Sequence, residues 1–548
     1  MIDNLTTQQR MILAIALSFI FFVIYDLTMP KQSHVAQDQK VIKDISANSN
    51  SEINSTIMAP ATTTAPATQT SAPVTTTNQA APKSSNITNQ TVLTTIKSKD
   101  FIATIDDLGR VSKFELLDNI YKNAKGIYPN LISSTKLPRP LEIRFSDHLL
   151  NKEAFEVKYT SDKKLIDLDS GAKKIVLTQK LSKTTLTKEI TFFPDGNYKV
   201  NISLSQNFEY YISPGYRPNV EADMYTFHGA LIKEFDKTLT LIDDGDAKGG
   251  EVYPRAYIAA TMDRYFATAF YNFKDGMDVY ISKDQNSNPL VFIKGAQNYS
   301  INGYIGPKAF DKLESIDKNL TDIIEYGWFT FLAKPIFLFL KYIYDIVGNW
   351  GWSIVIITVL IRLILYPLTY KGMVSMNKLK DLAPKIKELQ KKYKGNPQKL
   401  NASMMELYKK HGANPMGGCL PMLIQIPIFF AIYRVLLNAV ELKHAPWIGW
   451  IEDLSVADPY FILPILMGAS MFWQQKITPT NFTDPIQEKI MKFLPLIFTL
   501  FFITFPAGLT LYWFVNNIFS VAQQYYVNSI FDKKKAQEKK AQEDNKKV

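Results

Sequence analysis

The run Trp352-Ser-Ile-Val-Ile-Ile-Thr-Val-Leu-Ile-Arg-Leu-Ile-Leu-Tyr-Pro-Leu368 decides the fold class. It is apolar over a length that crosses most of a bilayer core, yet it carries Arg362. A charge at that depth costs roughly 2.5–3.5 kcal/mol on insertion scales, so an intramembrane arginine marks a functional site by default. Thr358 lies four residues earlier and shares its helix face.

Outward from this run the chain divides by composition. Residues 349–531 carry apolar spans at about 352–370, 420–437, 459–477, 491–505 and 509–526, and Met11–Tyr25, following Arg10, reads as a sixth. At fifteen residues that first segment is about 22 Å of helix. No small-x-small cleavage pattern follows it, which favours a retained signal anchor over residues 1–30. A single long span over Phe493–Val515 is the alternative to the last two, but Pro506-Ala507-Gly508 reads as a turn between them.

Charge sets the orientation. Eleven Lys face Asp381, Glu388 and Glu406 between Lys371 and Met416, and the tail 532–548 has seven Lys against four acids. Lysine clusters beside apolar spans mark the cytoplasmic side, whereas the loop Glu441–Asp458 carries four acids against Lys443. Both termini are therefore expected inside. The overall charge of +11 follows these flanks rather than an aromatic-bearing soluble face, which argues against sequence-specific nucleic-acid binding.

Between the anchor and the spans, residues 31–93 form a linker. Ala59–Val92 is almost entirely Ala, Thr, Pro, Ser, Asn and Gln, too poor in apolar groups to fold. Residues 94–320 change to alternating runs such as Ile190-Thr-Phe-Phe and Tyr198-Lys-Val-Asn-Ile-Ser-Leu around Pro194-Asp195-Gly196-Asn197. This is the pattern of β-hairpins in a sandwich. Residues 321–348 mix aromatic and aliphatic residues with Lys334, Lys341 and Asp345. That mixture suits an amphipathic helix at the membrane interface, with a core helix of the soluble domain as the alternative.

Residues 373–412 read as a helical hairpin. Met376, Leu379, Leu382, Ile386, Leu389 and Tyr393 recur at helical spacing, as do Leu400, Met404, Leu407 and Tyr408 after Gly395-Asn396-Pro397. The opposite lysine-rich faces are either solvated or a docking surface for something acidic, such as ribosomal RNA or a targeting factor.

Enzymatic constellations are missing: there is no His-Glu-x-x-His, no Cys/His metal spacing, and no Ser with a histidine partner in the spans. The single cysteine, Cys419, allows no intrachain disulfide. No enzyme, cofactor or metal is expected. The polar residues within the spans are Thr358, Arg362, Gln425, Ser470, Asn516 and Asn517. Interhelical hydrogen bonding is the plain reading of the amides, and the arginine has no intramembrane acid to neutralise it.

Three motifs carry a resemblance over essentially the whole chain: Arg362-Leu-Ile-Leu-Tyr-Pro-Leu-Thr, Asn414-Pro-Met-Gly-Gly-Cys-Leu-Pro-Met-Leu-Ile-Gln-Ile-Pro-Ile-Phe, and Phe505-Pro-Ala-Gly-Leu-Thr-Leu-Tyr-Trp. Together they resemble the bacterial YidC membrane protein insertase family, in its Gram-negative form with a large periplasmic domain. The resemblance implies an α-helical polytopic inner-membrane protein with six transmembrane helices, five of them an insertase core, and a β-sandwich periplasmic domain. It also implies a groove open to cytoplasm and lipid, matched here by Arg362, Gln425, Trp513 and Asn516, with Thr358 on the arginine's face. Trp513 replaces the Tyr of some members, so any role for a phenol shifts to Tyr512. The resemblance further implies a hydrophobic slide for the client's apolar segment, matched here by Leu423, Ile426, Phe430, Tyr433 and Phe501.

The implied partners are nascent membrane proteins, membrane lipids, the Sec translocon, and the ribosome or signal-recognition machinery. No small-molecule substrate is implied. A small-anion transporter or channel using Arg362 is the rival, although the spans offer few polar groups for a dedicated small-molecule site.

Overall fold

The computed structural model describes residues 91–547 apart from 124, 221–225, 414–419 and 479–484. The expected anchor, most of the linker and the Asn414–Cys419 part of the second motif lie outside the described residues.

Alternation builds the β-rich domain. In Asn197–Leu204 the side chains of Tyr198, Val200, Ile202 and Leu204 are buried while Lys199, Asn201 and Ser203 face out. The strand pairs antiparallel with Thr185–Phe192, Phe192 opposite Tyr198. Between them Asp195 Oδ1 accepts from the Asn197 amide at 2.9 Å, and Gly196 takes φ +89° where a Cβ would meet the Ile305 carbonyl at 2.4 Å. The Pro-Asp-Gly turn is thus required by space as well as by dihedral angle.

This hairpin belongs to a nine-stranded sheet that runs from Leu239–Asp243 at one edge to Thr160–Ser161 at the other. A five-stranded and a four-stranded sheet complete the domain, so three sheets share one core instead of the two of a simple sandwich. Ile96, Phe101 and Phe114 of the four-stranded sheet pack in the same apolar cluster as Ile190 and Val200 of the nine-stranded sheet and Val279 and Ile293 of the five-stranded one.

Ten α-helices lie among the described residues: α1 (His148–Glu156), α2 (Phe310–Ile316), α3 (Thr330–Val347), α4 (Trp350–Ile364), α5 (Tyr366–Lys392), α6 (Pro397–Lys410), α7 (Leu420–Asn438), α8 (Ile462–Ile477), α9 (Pro485–Phe502) and α10 (Ala507–Lys547). Helix α3 buries Ala333, Phe337, Leu340 and Ile343 against the helical core and exposes Phe331, Leu338, Tyr342 and Ile346. Apolar groups on both faces suit a helix that packs on protein with one side and on lipid with the other. Helices α5 and α6 join through Gly395, at φ +94°, and Asn396, whose side chain caps α6 by accepting from the Lys399 amide at 3.1 Å. Leu382 and Ile386 pack there beside Leu379, Met404, Leu407 and Tyr408.

Two boundaries differ from the sequence reading. The expected span 352–370 is not one straight helix: α4 ends at Ile364 and α5 departs at 64°. Pro367 at the start of α5 lacks the amide hydrogen that would continue the ladder. At the other end α10 runs for 41 residues from the apolar stretch 509–526 through the Lys-rich tail without a break.

Between α9 and α10 the chain turns where Pro506 bridges Ala457, and the Ala507 and Gly508 amides donate to Val456 and Leu454 carbonyls at 2.7 and 2.9 Å. One continuous helix over Phe493–Val515 is thereby excluded. Among the described residues no single helix is long and apolar enough alone to cross a membrane, whereas the bent pair α4–α5 is by length and composition.

The β-rich domain is tied to the helical core by buried polar contacts. Arg264 Nε donates to the Leu437 carbonyl at 3.0 Å, at the end of α7, and its Nη2 to the Ser455 carbonyl at 3.2 Å. Asn438 Nδ2 donates to the Glu325 carbonyl at 2.9 Å, and Glu441 Oε1 accepts from the Phe310 amide at 2.9 Å. Desolvation pushes the Glu441 carboxyl up from 4.5 to about 7. A carboxyl raised in the folded state stabilises it fully below the unfolded value, and the benefit falls as pH rises through about 7. Amide exchange at Phe310 is therefore expected to speed up as pH is raised across this window, beyond the intrinsic rate. Glu441→Gln, which keeps the acceptor, is expected to remove that extra dependence.

Candidate functional site

The site is assembled where α4, α7 and α10 meet. Asn349 caps α4, its Oδ1 accepting from the Trp352 amide at 3.0 Å, and the helix then buries Trp350, Ser353, Ile354, Ile357, Thr358 and Arg362 along one face. The spacing of three and four carries Arg362 to the buried side at the helix's last turn, where only 6% of it is exposed.

Its partner is on α10. Arg362 Nε donates to Asn516 Oδ1 at 2.6 Å and Nη2 to the Asn516 backbone carbonyl at 3.3 Å. Gln425 Nε2, from α7, donates to the same Oδ1 at 3.3 Å. One neutral amide thus ties three helices together. No carboxylate faces the guanidinium among the described residues, so the positive charge is hydrogen-bonded without being neutralised. A charge so held keeps a desolvation cost that hydrogen bonds to a neutral amide offset only in part.

Four of the expected groove residues, Arg362, Gln425, Asn516 and Thr358, divide into two groups. The first three touch; the Thr358 hydroxyl instead donates to the Ile354 carbonyl of its own helix at 2.6 Å, and shares the buried face without bonding the arginine. Tyr512 is buried, 3% exposed. Trp513 sits in an aromatic nest, edge-on to Phe429 at 4.6 Å between centroids and beside Phe502 at 5.2 Å, and its buried indole N–H meets no acceptor among the described residues.

The slide residues fall on two helices. Ile426, Phe430 and Tyr433 are spaced four and three apart on α7, with Ile426 and Phe430 41% and 43% exposed. Phe430 stacks on Phe329 at 5.7 Å. Tyr433 and Phe501 both lie against Phe505, at 6.3 and 4.6 Å. The side chain of Leu423 lies outside the described residues. Beside this face α9 exposes Phe493, Leu496 and Leu500, and α8 exposes Ile465, Phe472 and Trp473. So many large apolar side chains left in contact with solvent are unusual for a protein surrounded by water.

Sequence reasoning missed the polar continuation along α10. Ser520 donates to the Asn516 carbonyl at 2.7 Å, Gln524 Nε2 to Asn528 Oδ1 at 2.7 Å, and Asn377 Nδ2 of α5 to the same Oδ1 at 2.9 Å. The signal was present as polar residues recurring every three or four positions after Asn516 in a stretch otherwise apolar.

Comparison with known proteins gives the family. A family model described as the 60Kd inner membrane protein matches residues 342–535, which hold Arg362, Gln425 and Asn516, and a second, for the YidC periplasmic domain, matches residues 150–339. The membrane protein insertase YidC of Campylobacter jejuni is 52% identical over 97% of this chain and 98% of its own length. The chain belongs to the YidC family of membrane protein insertases. The YidC of Wolinella succinogenes is 48% identical over 97% of each chain. A crystal structure of active YidC insertase with the first transmembrane domain resolved is 18% identical, covering 80% of this chain and 95% of that one at a TM-score of 0.35, too loose to bear on the site.

Within this YidC-family core, Asn516→Leu is expected to strand a buried guanidinium and to destabilise the helical bundle by about 3–5 kcal/mol. Arg362→Leu in the same chain is expected to restore much of that loss. Thermal unfolding of the two single variants and the double variant in detergent gives the coupling directly.

Proposed function

We propose that this chain inserts nascent membrane proteins by holding a client's polar tail at Arg362 while the client's apolar segment passes along α7 and α9 into lipid. The observation that carries this reading is the uncompensated charge of Arg362, fixed by Asn516 next to an exposed aromatic and aliphatic face. An acidic tail residue about 4 Å from the guanidinium gains roughly 4 kcal/mol at an effective dielectric of 20, before desolvation is subtracted. That is enough to dwell and too little to trap.

The apolar segment then leaves by partition. Each CH₂ buried in lipid contributes about 0.8 kcal/mol, so a hydrophobic segment offsets the cost of withdrawing its short polar tail from water. Ile426, Phe430, Tyr433 and Phe501 offer rings and branched chains instead of hydrogen bonds, a surface that does not discriminate between apolar sequences. No step in this scheme makes or breaks a covalent bond.

In the layout we favour, six helices cross the inner membrane with both termini in the cytoplasm and the β-rich domain in the periplasm. Residues 349–531 form the core, and α3 lies along the outer interface. The lysine-rich faces of α5 and α6 support a cytoplasmic hairpin facing the ribosome or the signal-recognition machinery, and the exposed faces of α8 and α9 leave room for lipid or the Sec translocon.

The test is protease-protected insertion, into liposomes holding the purified full chain, of a single-span client with an acidic tail. Arg362→Ala is expected to reduce insertion by about tenfold, the factor 1.4 kcal/mol of lost attraction represents, and Arg362→Lys to retain most of it. Equal losses for the two variants would remove the charge from the mechanism. Insertion by wild type no better than by empty liposomes would remove the proposal altogether.

A further inference from the structure

Three strands of the nine-stranded sheet are tied to the helical core at both ends. Gly229–Lys233, Ile258–Met262 and Phe266–Tyr271 pair antiparallel, with Lys233, Ile258 and Tyr271 in one row. At the far end from this row, the turn after Met262 carries Arg264, which bonds the Leu437 and Ser455 carbonyls. At the near end Lys233 pairs with one oxygen of Asp322, and Lys334 of α3 donates to the other at 3.0 Å. The strands therefore lie along the helical core and do not stand away from it.

Past Lys233 the sheet ends in aromatic rings. Phe235 sits in the turn to Leu239–Asp243, Tyr257 just before Ile258–Met262, and Phe273 just after Phe266–Tyr271. Ring centroids are 5.5 Å apart from Phe235 to Tyr257 and 6.5 Å from Tyr257 to Phe273. Phe235 is 45% exposed, and on α3 Phe331, three residues before Lys334, is 75% exposed. The bridge of Lys233, Asp322 and Lys334 thus sets this aromatic end beside the exposed apolar face of α3 that continues through Leu338, Tyr342 and Ile346.

Cations frame the rings. Arg255 holds its guanidinium 3.9 Å over the Phe235 ring, Lys237 follows Phe235 by two residues, and Lys274 follows Phe273 by one. All three are exposed, and none pairs with a carboxylate among the described residues. Lys237 and Arg255 also stand at left-handed φ, +73° and +54°, a conformation that long side chains rarely adopt and that is concentrated at binding sites. Glu234, Asp236 and Asp275 lie among them, so the face is near neutral and suits a phospholipid surface better than a polyanion. Rings at such a surface enter the acyl boundary while long basic side chains reach the phosphates. An inner-membrane protein with a periplasmic domain has such a leaflet at hand.

We propose that the end of the sheet bearing Phe235 is a membrane contact of the β-rich domain, in which Phe235 enters the periplasmic leaflet beside α3 while Lys237 and Arg255 take lipid phosphates. This rests on the layout above, in which α3 lies along the outer interface, and extends the lipid contact from the helical core to the β-rich domain.

The test places a fluorophore at Phe235→Cys, Tyr342→Cys or Leu165→Cys of the full chain with Cys419→Ser. Each labelled protein is reconstituted in phosphatidylethanolamine–phosphatidylglycerol vesicles whose acyl chains carry a bromine quencher. Tyr342 lies on the exposed face of α3, and Leu165, 58% exposed, follows Thr160–Ser161 at the opposite edge of the sheet. Lipid quenching is expected at Phe235→Cys and Tyr342→Cys and not at Leu165→Cys. Quenching at Tyr342→Cys alone would overturn the contact, keep α3 at the interface and leave the aromatic end to a protein partner; quenching at none would overturn the layout as well. Equal quenching at all three would show a domain that meets lipid with no preferred face, which also overturns the proposal. As a second measurement, Lys237→Glu with Arg255→Glu is expected to remove most of the quenching at Phe235→Cys and none at Tyr342→Cys. No loss at Phe235→Cys would overturn the role of the two cations.

Discussion

The hydrogen bonds from Arg362 to Asn516 are the contact on which the rest of the helical core depends. They join α4 to α10, and because Gln425 donates to the same oxygen they also bring in α7. A guanidinium left in an apolar bundle without them carries a penalty of several kcal/mol, larger than most single contacts supply. The rotation of α4 that buries Trp350, Ile354 and Ile357 is also the one that brings Arg362 to Asn516, so packing and charge agree. The aromatic nest around Trp513 fills in around a geometry already set.

The β-rich domain answers a different constraint. Its sheets bury charge as well as hydrocarbon: Arg110 reaches Asp106 and Glu142 at 3.0 and 3.1 Å, and Arg139 shares Asp106 at 3.0 Å, all four side chains nearly inaccessible. Lys188, fully buried, donates to the Gly109 and Leu141 carbonyls, and burial pulls its ammonium down to about 7. Such a network gives little net stability, but mispairing any sheet would leave a charge unsatisfied. Arg264 extends the same logic across to the end of α7.

Much of this was legible in the sequence where the signal is local. The Pro194-Asp195-Gly196-Asn197 turn announced its hairpin because turn chemistry and period-two alternation agree there, and Arg362 announced itself by its depth in an apolar run. The turn at Pro506-Ala507-Gly508 was legible for the same reason. The bend after Ile364 was not, because Pro367 is compatible with a helix start as well as with a helix interior that bends, and the choice between them rests on what α5 packs against. Which oxygen would receive the arginine was hidden too: Asn516 lies 154 positions away in sequence. The four-stranded sheet escaped notice because a strand as short as its edge Leu165–Asp167 is set by its neighbours more than by its own residues.

Helix α10 is a single rod of 41 residues, roughly 60 Å long. Asn528 fastens it to α5, Lys535 pairs with Asp381 further along, and Asn516 holds Arg362 near its start. Because its ladder is continuous from Ala507 to Lys547, the contacts made by Asn516, Asn528 and Lys535 are all set by one rotation of the same helix, so the register of the cytoplasmic hairpin against α10 and that of Arg362 against Asn516 are chosen together.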